Sequence, residues 1–240
     1  MRVGKTLTAL TSDQYLSWSN TLEKNQQNIF SIEENKPVDW FEPLYANANK
    51  TGAGVPWANM ATHPSFKLWL NQNPLTGNNK LALVVGCGMG DDAIELERLG
   101  FQVTAFDVSE TAIKICKERF PESTVNFVQA DLFQEQTQWH NKFDFVLEIY
   151  TVQALPPKYE AELIRSISGF VSTSGQLLVI AEVSDIERTF KNGPPWLLTP
   201  QHIDAFIASG LSLKDTHIEP DPSGVKKGKT YSTTFNGLSA

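Results

Sequence analysis

The sequence predicts an α/β fold, a mostly parallel sheet of seven strands with helices on both faces, and three observations predict it. From Leu81 onward apolar strand patterns alternate with amphipathic helix patterns. A Gly86-x-Gly88-x-Gly90 turn joins the first strand to the first of these helices, and an acid, Asp107, ends the second strand. The last two strand patterns, LSLKDTHI and TYSTTF, are joined through a Gly-containing connection too short for a crossover helix. They are therefore expected to form an antiparallel C-terminal pair.

Each element has its own warrant. LALVV from Leu81 is a continuous apolar run of buried-strand length, and the glycine turn stops it. Asp91 and Asp92 open the following helix, where carboxylates suit the positive end of the dipole, and Gly100 closes it. QVTAF is the second strand. Ser109 caps a helix whose Ala112, Cys116 and Phe120 recur every four residues on one face, and Pro121 ends it. VNFVQ is a third strand leading to Ala130-Asp131-Leu132, and FDFVLEIY from Phe143 a fourth. Lys158 to Phe170 reads as helix, GQLLVIAEV from Gly175 as the fifth strand, and Thr199-Pro200 as the start of a helix through Ile207 that stops at Gly210.

Residues 1 to about 75 differ in kind. They are rich in Asn, Gln, Ser and Thr, yet hold Trp18, Trp40, Trp57 and Trp69, four of the six tryptophans. A polar segment that must still bury large aromatics is expected to be a helical lid over the open edge of the sheet. Trp18 and Trp69 read as its hydrophobic anchors. Trp57 reads differently, because Gly52, Gly54 and Pro56 imply a shaped loop. The 240 residues are expected to be one domain, 1–75 the lid and 76–240 a Rossmann-like core. Gly4-Lys5-Thr6 lacks the first glycine and preceding strand of a phosphate loop.

Composition narrows the partners. Hydrophobic residues make up 41% of the chain, and 20 basic against 27 acidic residues leave a net charge of −7. That charge repels nucleic acid and anionic membrane surfaces, so neither is expected as a partner. The one basic cluster, Lys226, Lys227 and Lys229, lies beside Gly224 and Gly228 and reads as a solvated turn. A polar start without an apolar leader region and the lack of a membrane-length apolar run lead us to expect a cytoplasmic protein. Cys87 and Cys116 fit neither a disulfide framework nor a metal cluster, and Cys87 reads as a small residue in the turn. His63, His140, His202 and His217 have no metal-ligand spacing, so no metal is expected.

A strand, a glycine turn, a helix, a second strand and an acid form the pattern that lays an adenosine-containing cofactor across the carboxyl ends of parallel strands. A dinucleotide fingerprint would place its third glycine at position 91, where this chain has Asp91. A carboxylate there would face a pyrophosphate at a helix N-terminus. Gly86, Cys87, Gly88 and Gly90 would bring backbone to the ligand, and Asp107, with Val108 next to it, could accept both ribose hydroxyls. Asp131 could take an adenine amino group while Leu132 packs on the ring, and Glu148, ending the fourth strand, could favour a cationic cofactor or orient its partner. Each of these acids alone could as well be a turn, cap or ion-paired residue. The argument rests on the set.

The compact G-x-G-x-G form resembles motif I of class I S-adenosylmethionine (SAM) methyltransferases. Within that class, GCGMG, Asp107 and ADLF are similar to the branch holding thiopurine, thiol/halide and tellurite methyltransferases. So are Trp40-x-x-x-x-Tyr45, Pro56-Trp57 with His63-Pro64 following, and Gly193-Pro194-Pro195-Trp196. The resemblance implies that Trp57 packs on SAM and that the loop at Pro194–Trp196 borders the acceptor pocket. The chain departs from the branch where a second tryptophan would fall, at Leu44 or Tyr45.

Methyl transfer to a soft nucleophile such as a thiolate needs alignment and exclusion of water more than acid–base work. Substrate-binding candidates are then Trp40, Tyr45, Tyr150, Pro195 and Trp196, around a small-molecule acceptor, in a monomer or homodimer. A hydroxyl or amine acceptor would need a base, for which Glu148, Tyr150 and His63 are the catalytic candidates. The remaining alternatives are an NAD-dependent oxidoreductase, a non-catalytic SAM-binding protein, and a protein or nucleic-acid methyltransferase, which the acidic charge and the lid disfavour.

Overall fold

In the computed structural model, residues 32–186, 188–219 and 228–238 are described. Trp18, the Gly4-Lys5-Thr6 sequence, and Lys226 and Lys227 of the basic cluster lie outside them. Seven strands form one sheet: β1 (Leu81–Val85), β2 (Gln102–Asp107), β3 (Asn126–Gln129), β4 (Phe143–Ile149), β5 (Val171–Val183), β6 (Leu211–Glu219) and β7 (Lys229–Gly237). Their order is β3-β2-β1-β4-β5-β7-β6. The first five are parallel to one another, and β7 runs antiparallel to both β5 and β6. The predicted α/β class and antiparallel C-terminal pair are therefore the observed ones.

Parity along the strands separates two cores. Leu83, Val85, Val146, Leu177 and Val179 point to one face, and Ala82, Val84, Phe145, Leu147, Leu178 and Ile180 to the other. The first face is covered by Leu163, Ile164 and Ile167 of α5 (Glu160–Phe170) and Phe206 of α6 (His202–Ala208). The second packs Phe66 and Trp69 of α2 (Pro64–Gln72), Ala93 and Leu96 of α3 (Asp91–Arg98), and Ile113 and Cys116 of α4 (Glu110–Arg119). Strands buried on both faces need apolar runs rather than alternation. LALVV supplies one.

Three expectations change. The polar N-terminal segment divides: α1 (Phe41–Ala46) lies against α4, whereas α2 packs on a face of the sheet, not its open edge. The reason is Trp69, whose ring joins Phe66 and Phe145 while its Nε1 donates to Thr234 Oγ1 in β7 at 3.0 Å. β5 starts at Val171 rather than Gly175, because Val171 pairs with Phe143 ahead of a register shift that leads to the Phe145–Gln176 pair. α6 starts at His202, after Pro200 and Gln201 make a turn.

The topology reverses at β1, which sits between β2 on one side and β4 on the other. Ligands of open α/β sheets bind where such a reversal leaves a crevice beyond the carboxyl ends of the strands. Val85 is in register with Phe106 of β2 and Glu148 of β4, so the glycine turn, Asp107 and the end of β4 converge there.

Candidate functional site

Gly86, Gly88 and Gly90 all have left-handed backbones, with φ of 58°, 53° and 86°. Only glycine adopts three such conformations in five residues without strain. What each leaves room for differs. A Cβ on Gly86 would lie 2.6 Å from Thr151 Oγ1, so this position receives the turn after β4. One on Gly88 would lie 3.1 Å from the Tyr45 hydroxyl, so this position opens towards α1. Gly90 is pressed on Cys116 Sγ and Phe127.

Asp107 is buried, and its two oxygens accept separate amides: Oδ2 from Gly88 N and Oδ1 from Ser109 N, each at 3.0 Å. Burial raises its pKa to about 6, against the pull of those amides. Ser109 Oγ in turn accepts from Ala112 N at 3.0 Å, the expected cap of α4. One oxygen of Asp131 accepts from Phe133 N at 2.9 Å in an Asx turn. Leu132 beside it is buried, and Val108 O accepts from Gln129 Nε2 at 3.1 Å.

At the end of β4, Glu148 is fully buried, and its Oε1 accepts from Thr151 N at 2.6 Å and Val152 N at 3.0 Å. Its Oε2 is buried without a partner. Burial lifts this carboxyl to about 7. Tyr150 follows with a φ of 60° and meets the His63 ring edge-on at 5.1 Å. The His63 Nδ1 accepts from Ser65 N at 3.3 Å as the cap of α2, and its backbone N donates to Asp92 Oδ1 at 2.7 Å. Asp92 is itself raised to about 7, mainly by burial.

A roof of aromatic rings covers the turn. Trp57 Nε1 donates to the Tyr45 hydroxyl at 3.0 Å, Trp40 meets Trp57 edge-on at 5.8 Å, and Trp40 stacks on Phe41. Tyr45, Val55, Met89, Ala112 and Ile115 form a small core of their own, with Trp57 packed against it. Trp40 is buried with its Nε1 unpartnered.

Residues 82–175 match the family model of a methyltransferase domain. From β1 into β5 the chain is thus similar to a methyltransferase domain. Thiocyanate methyltransferase 1 of Brassica oleracea is 23% identical over 154 residues, which cover 62% of this chain and 66% of that protein. The match thus spans just under two thirds of that relative. A structure described for the conversion of a disulfide bond into a thioacetal group during echinomycin biosynthesis has a TM-score of 0.65 at 20% identity, covering 84% of this chain and 93% of the other. The 1,6-didemethyltoxoflavin-N1-methyltransferase of Burkholderia thailandensis, solved with its substrate and S-adenosylhomocysteine, has a TM-score of 0.59 at 16% identity, covering 99% and 94%. These likenesses show the fold.

Solved structures of this fold hold S-adenosylhomocysteine, and SAM is the cofactor expected here. Two groups there could meet the charges of a sulfonium amino acid, the buried unpartnered oxygen of Glu148 and the unpartnered indole N–H of Trp40, while the Tyr45 hydroxyl stands against Gly88. Among the substrate-binding candidates Trp40, Tyr45 and Trp196 are all buried. Trp196 is 2% exposed, stacks on Phe190 at 5.6 Å and donates its Nε1 to Phe190 O. It anchors the Gly193–Trp196 loop from inside, and of the loop candidates only Pro195 is exposed. Cys87 is held as a neutral thiol by its contact with the Cys116 thiol and by burial, which push its pKa well up.

Sequence reasoning missed Thr151, which locks the β4 turn onto β1 by donating to Val85 O at 3.0 Å, as well as Asp92 and Glu42. Asp91-Asp92 at a helix start was a visible signal, but of a dipole effect; nothing in the sequence says that one of the pair takes the His63 backbone N–H. Among the described residues no helix is long and apolar enough to cross a membrane, and no cluster of three His, Cys, Asp or Glu could hold a metal.

Proposed function

We propose that the protein, as a single domain, moves a methyl group from SAM to a small soft nucleophile, a thiol or a comparable anion, held under its aromatic roof. The observation that carries this reading is the roof itself: the Tyr45 hydroxyl stands above Gly88 and bonds the Trp57 ring N–H at 3.0 Å. In this assignment Gly86, Cys87, Gly88 and Gly90 carry the methionine part, Asp107 and Val108 the ribose, and Asp131 and Leu132 the adenine. Trp57 packs on the cofactor.

Bound at the turn, SAM supplies a methyl carbon already activated by its sulfonium charge. What this chain must add is alignment and dryness. Trp40, Tyr45 and Trp57 exclude water from the space above Gly88, and Tyr150, fixed by the His63 ring, and Pro195 bound the side from which an acceptor enters. The buried Glu148 carboxylate favours positive charge near the end of β4. A thiolate arrives without its proton, so no base is required. The resemblance to a thiocyanate methyltransferase agrees with such an acceptor.

A second reading, a hydroxyl or nitrogen acceptor, is favoured by one observation: Glu148 has a buried, unpartnered Oε2 and a pKa raised to about 7, suited to taking a proton at neutral pH. The test is a panel of thiols, halides, thiocyanate, tellurite, phenols and amines incubated with SAM, scored by release of S-adenosylhomocysteine and repeated with Glu148→Gln. Turnover of soft nucleophiles that Glu148→Gln leaves within about threefold supports the first reading. Turnover of hydroxyl or amine acceptors alone, lost by about a hundredfold or more in Glu148→Gln, overturns it in favour of the second.

A further inference from the structure

We infer that Glu42 is the positioning residue that seats the aromatic roof on the cofactor site; this rests on the reading that SAM binds at the glycine turn. Glu42 lies in α1, and its carboxylate reaches the start of α4, 67 to 69 residues away in sequence. Oε2 accepts from Ser109 Oγ at 2.6 Å and Thr111 N at 3.2 Å, and Oε1 accepts from Thr111 Oγ1 at 2.5 Å. These bonds hold the Glu42 carboxyl below its ordinary pKa, so it is a carboxylate at neutral pH.

The position of these bonds gives them a role beyond holding two helices together. The first turn of α4 has amides with no partner inside the helix and carries the positive end of its dipole. Ser109 already caps it from within the same chain segment, and Glu42 completes the cap from α1. Ser109 is also the residue whose backbone N donates to Asp107, and Asp107 accepts from Gly88 N. One bonded path therefore runs from α1 through Ser109 and Asp107 to the glycine turn.

The other end of α1 returns to the same place. Tyr45, three residues after Glu42 and so on the same side of the helix, puts its hydroxyl over Gly88 and takes the Trp57 N–H. Glu42 fixes one end of a helix whose other end carries the roof. Without the latch, α1 is held over the turn by the small core around Tyr45, Val55 and Met89, and the free protein spends more of its time with the roof unseated.

The experiment is S-adenosylhomocysteine titration by calorimetry on the full chain and its Glu42→Ala and Glu42→Gln variants, with urea unfolding of each. Binding to Glu42→Ala should weaken about tenfold, and to Glu42→Gln about threefold, because the Gln amide oxygen still accepts from Ser109 Oγ. The urea midpoints should stay close to wild type, since Glu42 is exposed. Equal affinity in wild type and Glu42→Ala, or affinity losses that only follow the urea midpoints, overturns the positioning role while leaving the cofactor site standing. A wild-type chain that binds no S-adenosylhomocysteine overturns the cofactor site, and this inference with it.

Discussion

The two halves of the segment that precedes the sheet have similar polar compositions and opposite fates. In the half with α1, Trp40, Tyr45 and Trp57 gather above the carboxyl ends of the strands, and Trp57 stays half-buried. In the half with α2, Trp69 is 5% exposed and closes one face of the sheet by bonding Thr234. The difference follows from helix register. Phe66 and Trp69, three apart, form one apolar stripe that a sheet face can take up. Around Trp57, Gly52 and Gly54 adopt left-handed backbones and bend the chain into a loop, which can only lie on what it meets. One half closes a face of the sheet and the other covers the glycine turn.

The largest effect should come from the stabilising half. Trp69→Ala removes a buried indole and its bond to Thr234, and unfolding in urea should show a loss of about 3–5 kcal/mol. The folded fraction should bind S-adenosylhomocysteine within about twofold of wild type. A large affinity loss at unchanged stability would mean that α2 belongs to the site after all.

Gly88→Val tests the other half. Its φ of 53° strains any branched residue, and its side chain would enter the space of the Tyr45 hydroxyl. Binding of S-adenosylhomocysteine should fall at least about a hundredfold, some 2.7 kcal/mol. The protein should stay folded, because Gly88 opens towards the roof, whereas Gly90 presses on Cys116 and Phe127 of the core.

The same contrast explains what the sequence disclosed. Asp107, Ser109 and Asp131 take amides within three residues or from the adjacent glycine turn, so their spacing along the chain announced their arrangement. The seven strands were legible for the same reason, as local apolar runs ended by turn residues. Glu42 meets Ser109, His63 meets Asp92 and Trp69 meets Thr234 across 67, 29 and 165 residues, and no local pattern encodes such a meeting. Trp196 misled because its G-P-P loop suggested a pocket wall, while the side chain's own packing on Phe190 turned it inward.

Three carboxylates near the glycine turn have raised pKa values: the half-buried Asp92, which accepts from His63 N, and the buried Glu148 each at about 7, and the buried Asp107 at about 6. Unfolded, such groups release their protons near pH 4. Between about pH 4 and 7 the folded chain thus binds more protons than the unfolded one, and these groups make stability fall as pH rises; above 7 the cost is fully present. His202, whose pKa burial lowers, acts in the opposite sense below about 6.5. The discriminating measurement is therefore a difference: Glu148→Gln should gain about 1–3 kcal/mol on wild type between pH 5 and pH 8. A constant difference would show that Glu148 stays ionised throughout, sharpening its role as a fixed negative charge.

The smallest effect, and the one that divides the two tryptophans most finely, belongs to Trp57→Phe. Phenylalanine keeps a ring against Trp40, Phe41 and the small core at Met89, and loses only the N–H that bonds the Tyr45 hydroxyl at 3.0 Å. A half-buried bond of this kind is worth about 1 kcal/mol. Because the bond lies over Gly88, its loss should appear mainly in S-adenosylhomocysteine affinity, about fivefold, with the urea midpoint nearly unchanged. Trp69→Phe loses a bond of the same length in the other half, to Thr234, and should show the reverse: about 1 kcal/mol of stability and no change in affinity. If both variants lose stability alone, the roof is an extension of the core, and the acceptor must be sought on the side of Tyr150 and Pro195.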